Sequence, residues 1–262
     1  MQSSSETGNE SVKKTGKNEG SKGDAPHTPE KPRPPPKSES PKAASINYEV
    51  LRYDSISNAI LSQCATLFGE HYGVWGANGY KPGERVKLGR HRLKSQWLFD
   101  KNCFVVLARK QTGELVGHAF VCRFLWGAGF ASWITQLVVA ANERRQGIAS
   151  TLCNMAYHPH DLASGLVSSH PFAVRALERA RDRRCSPSLI SKHAAGLIAA
   201  SGIPYVQGCP LQLGEERSII ETKFFVDHTE VNNFLAEEED WQMGPLKDGE
   251  EFFAFVFKDT QE

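Results

Sequence analysis

The period of the apolar positions changes several times along this chain, and each period predicts an element. Apolar and polar residues alternate over Ile46–Arg52, as in a half-buried strand. Ile56, Ile60, Leu61, Cys64, Leu67 and Phe68 then recur at helical spacing, with Asp54 or Ser55 as the expected N-cap. A loop rich in glycine and aromatics covers residues 71–80, and a second, strongly basic helix is expected over residues 84–98. Residues 103–108 read as a strand, Gln111-Thr112-Gly113 as a turn, and residues 115–125 as the returning strand. Gly127-Ala128-Gly129 turns the chain into a third strand, residues 133–139, which completes an antiparallel meander.

Downstream the pattern predicts a helix from Ile148 to about Tyr157 and a short strand over residues 162–168. Pro171 suits the first position of a helix running to Arg181, because its missing N–H costs nothing there. A further helix is expected over residues 188–200, ended by Gly202 and followed by Pro204. A strand over residues 218–226, a short helix over Thr229–Glu237 and a final strand over residues 252–257 complete the reading.

The stretch from Leu137 to Ser150 carries the clearest chemistry. An apolar strand runs into a basic turn containing a glycine, and the turn opens directly into a helix. Unpaired N–H groups at a helix start converge on one spot, and the helix dipole favours negative charge there. Gly147 lets backbone approach a ligand closely, and Arg144 and Arg145 can add charge-assisted hydrogen bonds. The expected ligand is a phosphate.

Composition narrows the rest. Of 262 residues, the first 45 hold seven of the fourteen prolines and no Leu, Ile or Phe. Such a segment cannot bury enough apolar surface to offset chain entropy, so it is expected to be a disordered tail. Its Pro32–Lys37 run reads as a solvated linker or a ligand for a proline-binding domain. The tail carries a charge of +2 and the remainder −1, so nucleic acid and membrane are not expected partners. No apolar run approaches the roughly 20 residues of a membrane span, and no secretory signal is visible. The six cysteines lack paired spacing and no C-x-x-C occurs, so no metal site is expected. They read as reduced thiols of a cytoplasmic or nuclear protein.

The turn and its flanks resemble the acetyl-CoA signature of the GNAT N-acetyltransferases, R/Q-x-x-G-x-G/A after an L-x-V strand. Arg144, Gly147 and Ala149 stand at the motif positions, and Leu137 and Val139 at the strand positions. Ala141 replaces a frequent Pro and Arg145 a frequent Gly. The resemblance implies an α+β GNAT fold over residues 46–262. Its central mixed, mostly antiparallel sheet would be flanked by helices, with a helical insertion near residues 186–202. It further implies acetyl-CoA as donor, a primary amine (small molecule or protein) as acceptor, and direct attack in a ternary complex.

On this resemblance the backbone of Leu137, Val138 and Val139 would line the pantetheine, with an N–H near Val139 polarising the thioester carbonyl. Arg144, Arg145, Gln146, Gly147, Ile148, Ala149 and Ser150 would hold the phosphates. His170 replaces an Asn that usually contacts cofactor backbone, and Leu177 replaces a Tyr that often protonates the leaving thiolate. Residues 131–139 contain no carboxylate, although some members use a strand Glu as base there. The bases expected instead are Glu70, beside His71 at the start of the aromatic loop whose Tyr72 and Trp75 would wall the acceptor, and His228, beside Asp227 where a late strand ends. His118 is a third, weaker option. The missing Tyr and strand Glu also raise an alternative: a degenerate GNAT-fold protein that binds CoA or a protein partner without turnover.

Overall fold

The computed structural model describes residues 45–258. The expected tail, with its proline run, lies outside them. Strands and helices follow in the order β1 (Ile46–Arg52), α1 (Asn58–His71), α2 (Arg90–Trp97), β2 (Cys103–Lys110), β3 (Leu115–Trp126), β4 (Gly129–Val139), α3 (Ile148–Met155), β5 (Ala163–Ser168), α4 (Pro171–Arg181), α5 (Pro187–Ser201), β6 (Leu211–Leu213), β7 (Ser218–Glu221), α6 (Thr229–Glu237) and β8 (Glu250–Phe257). The strands form one sheet in the order β1-β2-β3-β4-β5-β8-β7-β6. Only β4 and β5 run parallel; every other pair is antiparallel. This is the mixed, mostly antiparallel α+β sheet that the resemblance implies.

Both faces of the sheet are covered by helices, so the inner strands read as continuous apolar runs. Residues 103–108 are all buried, as are residues 250–256. Trp133 of β4 packs edge-on against Phe253 and Phe255 of β8, although β5 lies between those strands. Gly165 of β5 makes the crossing possible: a Cβ there would lie 2.3 Å from the Phe255 ring. The expected insertion is α5. Ser186 caps it, Gly202 closes it at φ 63°, and Ile190, Ala194 and Leu197 bury its inner face. No helix among the described residues is long and apolar enough to cross a membrane.

Some boundaries differ from the expectation, three of them with a visible local cause, and one strand was not expected at all. The cap of α1 is Ser57, whose Oγ accepts from the Ile60 N–H at 3.3 Å; Asp54 and Ser55 form a 3-10 turn before it. The second helix starts only at Arg90, because residues 84–86 pair with residues 73–75 as extended backbone. The late strand ends at Glu221 rather than Val226, since Lys223 takes φ 58° and breaks the ladder. The three-residue β6 is too short to show a period.

Candidate active site

The site begins with a fault in β4. Phe120 faces Gln136 but Val121 faces Ile134, so Thr135 is an extra residue in the β3–β4 ladder. A bulge of this kind bends the strand and sharpens its twist. β4 pairs with β5 only at residues 131–134, although β4 runs on to Val139 and β5 to Ser168. The Ala140 N–H donates to Val116 O of β3 at 2.8 Å. By alternation, Leu137 and Val139 turn their backbone groups the other way, into the opening beyond the last β4–β5 pair. The side chain of Val138 is buried, and Val138 and Val139 pair with His118 and Gly117 of β3.

The opening continues into a cavity of about 300 Å³. Thr135, Gln136 and Leu137 of β4 and Leu166, Val167 and Ser168 of β5 form one side. Aromatic rings form the other: Tyr72 stacks on Phe68 at 4.3 Å, and Phe224 meets both Tyr72 at 5.9 Å and Trp75 at 5.3 Å. Trp97 donates its indole N–H to Thr135 O at 2.8 Å, which pins α2 over the bulge. The 71–80 loop is fixed by backbone pairing to residues 225–227: Gly76 N–H to Phe225 O at 2.9 Å and Asp227 N–H to Val74 O at 3.0 Å.

The two segments expected to border the acceptor therefore meet, but Glu70 and His228 do not line the cavity. Glu70 lies in a shallow groove on the other side of α1, with Arg85 and Lys87. His228 is buried at the start of α6, its Nε2 lacks a partner, and burial lowers its pKa. Asp227 caps the α6 start by accepting from the Thr229 N–H at 2.9 Å and hydroxyl at 2.6 Å. His118 donates from Nε2 to Gln136 Oε1 at 2.8 Å, and burial holds its pKa down to about 4.

Among the described residues the one carboxylate on the cavity wall is Glu251 of β8. Burial raises its pKa from 4.5 to about 7, against the opposing pull of the Thr222 hydroxyl (2.7 Å) and the Ser169 backbone N–H. Burial also raises the pKa of the Tyr72 phenol, and the Glu251 charge adds to the rise. The neighbouring Glu250 points to the opposite face, where Gln212, Arg217 and the Lys247 N–H engage it. Two adjacent carboxylates thus have different fates: Glu250 is tied into a polar network, and Glu251 is left facing a cavity with few donors. The sequence signal was a Glu pair heading the apolar run Phe252–Phe257, in which one of two alternating acids must face inward.

At the far end of β4 the basic turn has its own geometry. Arg145 sits at φ 64° and Gly147 at φ 82°, both left-handed. A Cβ on Gly147 would meet nothing within 4 Å, so the space before α3 is open. The first N–H groups of α3, from Ile148, Ala149 and Ser150, have no acceptor within the helix and face its positive end. Arg144 reaches back, with Nε on Val139 O at 3.3 Å and an Nη on His71 O at 2.5 Å, which ties the end of α1 to the end of β4. Gln146 folds onto Glu143, itself paired with Lys110 at 2.8 Å. His170 caps α4 by accepting at Nδ1 from the Phe172 N–H, which leaves Nε2 as the donor of its neutral form. Burial and then the nearby Arg144 charge lower its pKa, against Glu230.

Comparison with known proteins gives a family match over part of the chain. Residues 75–159 match the model of the acetyltransferase (GNAT) family. No curated protein matches. Among solved structures, one similar chain is a fungal multi-domain GH3 beta-N-acetylglucosaminidase with a GCN5-related glucosamine N-acetyltransferase region. The identity is 14%, over 68% of this chain and 18% of that one, with a TM-score of 0.39. Another is the GNAT family N-acetyltransferase YhbS of Escherichia coli in complex with CoA: 11% identity, 53% and 71% coverage, TM-score 0.36. A third is glucosamine-6-phosphate N-acetyltransferase of Arabidopsis thaliana: 14% identity, 43% and 71% coverage, TM-score 0.29. The matched residues, 75–159, run from Trp75 through the meander and the basic turn to just past α3, about a third of the chain, and it is in this stretch that the chain is similar to the GNAT acetyltransferases.

Proposed function

We propose that this chain transfers the acetyl group of acetyl-CoA to a primary amine by direct attack in a ternary complex, with Glu251 as proton acceptor. One observation carries the reading: the β4–β5 opening leads to a cavity whose single carboxylate among the described residues has a pKa near 7. The residues fit the donor at both ends. The open, left-handed turn at Arg145–Gly147 and the α3 start suit its phosphates, and the unpaired edge of β4 at Leu137 and Val139 suits an extended amide-bearing arm. Acetyl-CoA supplies the activated thioester.

The chain's own residues supply the rest. An aliphatic ammonium has a pKa of about 10, so the attacking nitrogen must lose a proton. A base works best when its pKa lies near the working pH, which is where burial sets Glu251. Tyr72, Trp75 and Phe224 keep bulk water from the reacting groups. The Leu137 N–H turns toward the opening and can hold the thioester oxygen, two residues nearer the cavity than Val139. Leu177 is buried and cannot protonate the departing thiolate, but a thiol with a pKa of about 8.5 leaves without that help.

The test is calorimetric titration of CoA into the full chain, followed by thiol release from acetyl-CoA over an amine panel. Micromolar binding with release by at least one amine class, abolished in Glu251→Gln while CoA still binds, supports the transferase. Binding with no release by any amine favours the non-catalytic alternative. No binding removes the phosphate reading of the 144–150 turn.

A further inference from the structure

The basic character of α2 is not used by the acetyl donor's route along β4. Its sequence, Arg-His-Arg-Leu-Lys-Ser-Gln-Trp, contains three permanent cations and no acid. Leu93 is wholly buried and Trp97 is bonded to Thr135 O, so these two fix the helix's rotation. That rotation puts Arg92 and Gln96, four residues apart, on the cavity wall. No ion pair engages Arg92 among the described residues.

Lys223 lines the same cavity from the segment after β7. It holds φ 58°, a left-handed conformation that is unfavourable for a residue with a Cβ and that glycine or asparagine fills more readily. Its backbone N–H is anchored to Gly249 O at 3.0 Å, and it too has no ion pair among the described residues. A lysine standing where the backbone disfavours it, on the wall of a cavity that also carries an unpaired arginine, is an observation independent of α2.

A third donor lies between them and the reacting end. Gln136 is buried and lines the cavity; its Oε1 is taken by His118, and its Nε2 has no partner. A buried amide donor left unpaired is destabilising, so a ligand oxygen there is favoured. The wall therefore offers two cations and an orphan N–H₂ against one carboxylate, whose proton is only partly lost at neutral pH. Such a surface repels a polycation and attracts an amine that also bears an oxyanion. The volume of about 300 Å³ suits a small molecule.

We infer that the acceptor is a small amine carrying an oxyanion, a carboxylate or a phosphate, held by Arg92, Lys223 and the Gln136 amide while its amine faces Glu251. This rests on the transferase reading above and specifies its substrate class.

The experiment uses the full chain, acetyl-CoA and matched acceptors. Ethanolamine is set against phosphoethanolamine, β-alaninamide against β-alanine, and putrescine serves as the dication. The oxyanion member of at least one pair is expected to react with kcat/KM about tenfold higher than its neutral partner, and which pair shows it separates phosphate from carboxylate. Arg92→Ala is expected to raise KM for that member about tenfold with kcat and the neutral partner changed by less than about twofold, and Arg92→Lys to recover part of the loss. Equal kcat/KM within both pairs, or a preference for putrescine, overturns the inference and leaves the transferase reading standing. No thiol release with any acceptor overturns both.

Discussion

Replacing Glu251 by glutamine keeps the side chain's shape and removes its charge, so stability and activity are expected to move in opposite directions. In the unfolded chain this carboxyl ionises near 4.5; in the folded protein burial holds the proton until about pH 7. The raised value means that the folded state is favoured while the group is protonated. That advantage is complete below pH 4.5, is lost as pH rises from 4.5 to about 7, and is absent above. At about 1.4 kcal/mol per pH unit, the wild type gives up about 3 kcal/mol across this window. Glutamine has no proton to lose. Glu251→Gln is therefore expected to match the wild type near pH 4.5 and to exceed it by up to about 3 kcal/mol at pH 8. Urea unfolding of both proteins at half-unit steps measures the difference, which cancels the opposite trends of the buried His118 and His228 and the half-buried His170. In the same variant kcat is expected to fall by about 10²–10⁴-fold, the usual contribution of a positioned base. The wild-type kcat/KM is expected to rise with pH through an apparent pKa near 7 and to lose that limb in the variant. A stability difference that does not change with pH, or a variant within about twofold of wild-type activity, would refute the assignment of Glu251.

Three further substitutions test other parts of the structure. Gly165→Ala puts a Cβ 2.3 Å from the Phe255 ring and is expected to destabilise by about 1–3 kcal/mol through overpacking, read as a lower urea midpoint at unchanged slope. Gly147→Val forces a β-branched residue to φ 82° in open space at the α3 start; CoA affinity is expected to drop about tenfold or more by calorimetry, and unchanged affinity in a folded variant would remove the turn from the donor site. Arg144→Ala strips the charged donor from Val139 O and His71 O; a stability loss of about 1–2 kcal/mol, seen without any ligand, would mark it as a brace between β4 and α1 as well as a positive charge at the turn.

What the sequence made legible was local. The meander of β2, β3 and β4, the proline-started α4, the serine-capped α5 and the strand–turn–helix at residues 137–150 each depend on neighbours a few positions away, and periodicity reads such neighbours directly. The second helix was overextended for a non-local reason. Residues 84–86 have a helical composition, but residues 73–75 offer them a ladder, and backbone pairing across the loop prevails over propensity. Arg145, which looked like a departure from a glycine position, proves to occupy the left-handed conformation that glycine would relieve.

The carboxylate proposed here as the base was illegible for a deeper form of the same reason. Glu70 and His228 were singled out by nearness to a loop and a strand end, but a cavity wall is set by which strands lie side by side. β8 comes last in the chain and yet inserts between β5 and β7. Its first residues thereby come level with Ser168 at the end of β5, just past the point where β4 has parted from β5. With a bulge at Thr135 opening the sheet and β8 closing the far side of the opening, the inward-facing member of the Glu250-Glu251 pair has only one place to go. The same topology accounts for its pKa: the wall opposite is built from Phe68, Tyr72 and Phe224, which exclude water but offer a carboxylate almost no donors. Position, protonation and access to the cavity thus follow from one strand insertion, so a change that shifts the β5–β8 register by a single residue would turn Glu251 out of the cavity and Glu250 into it.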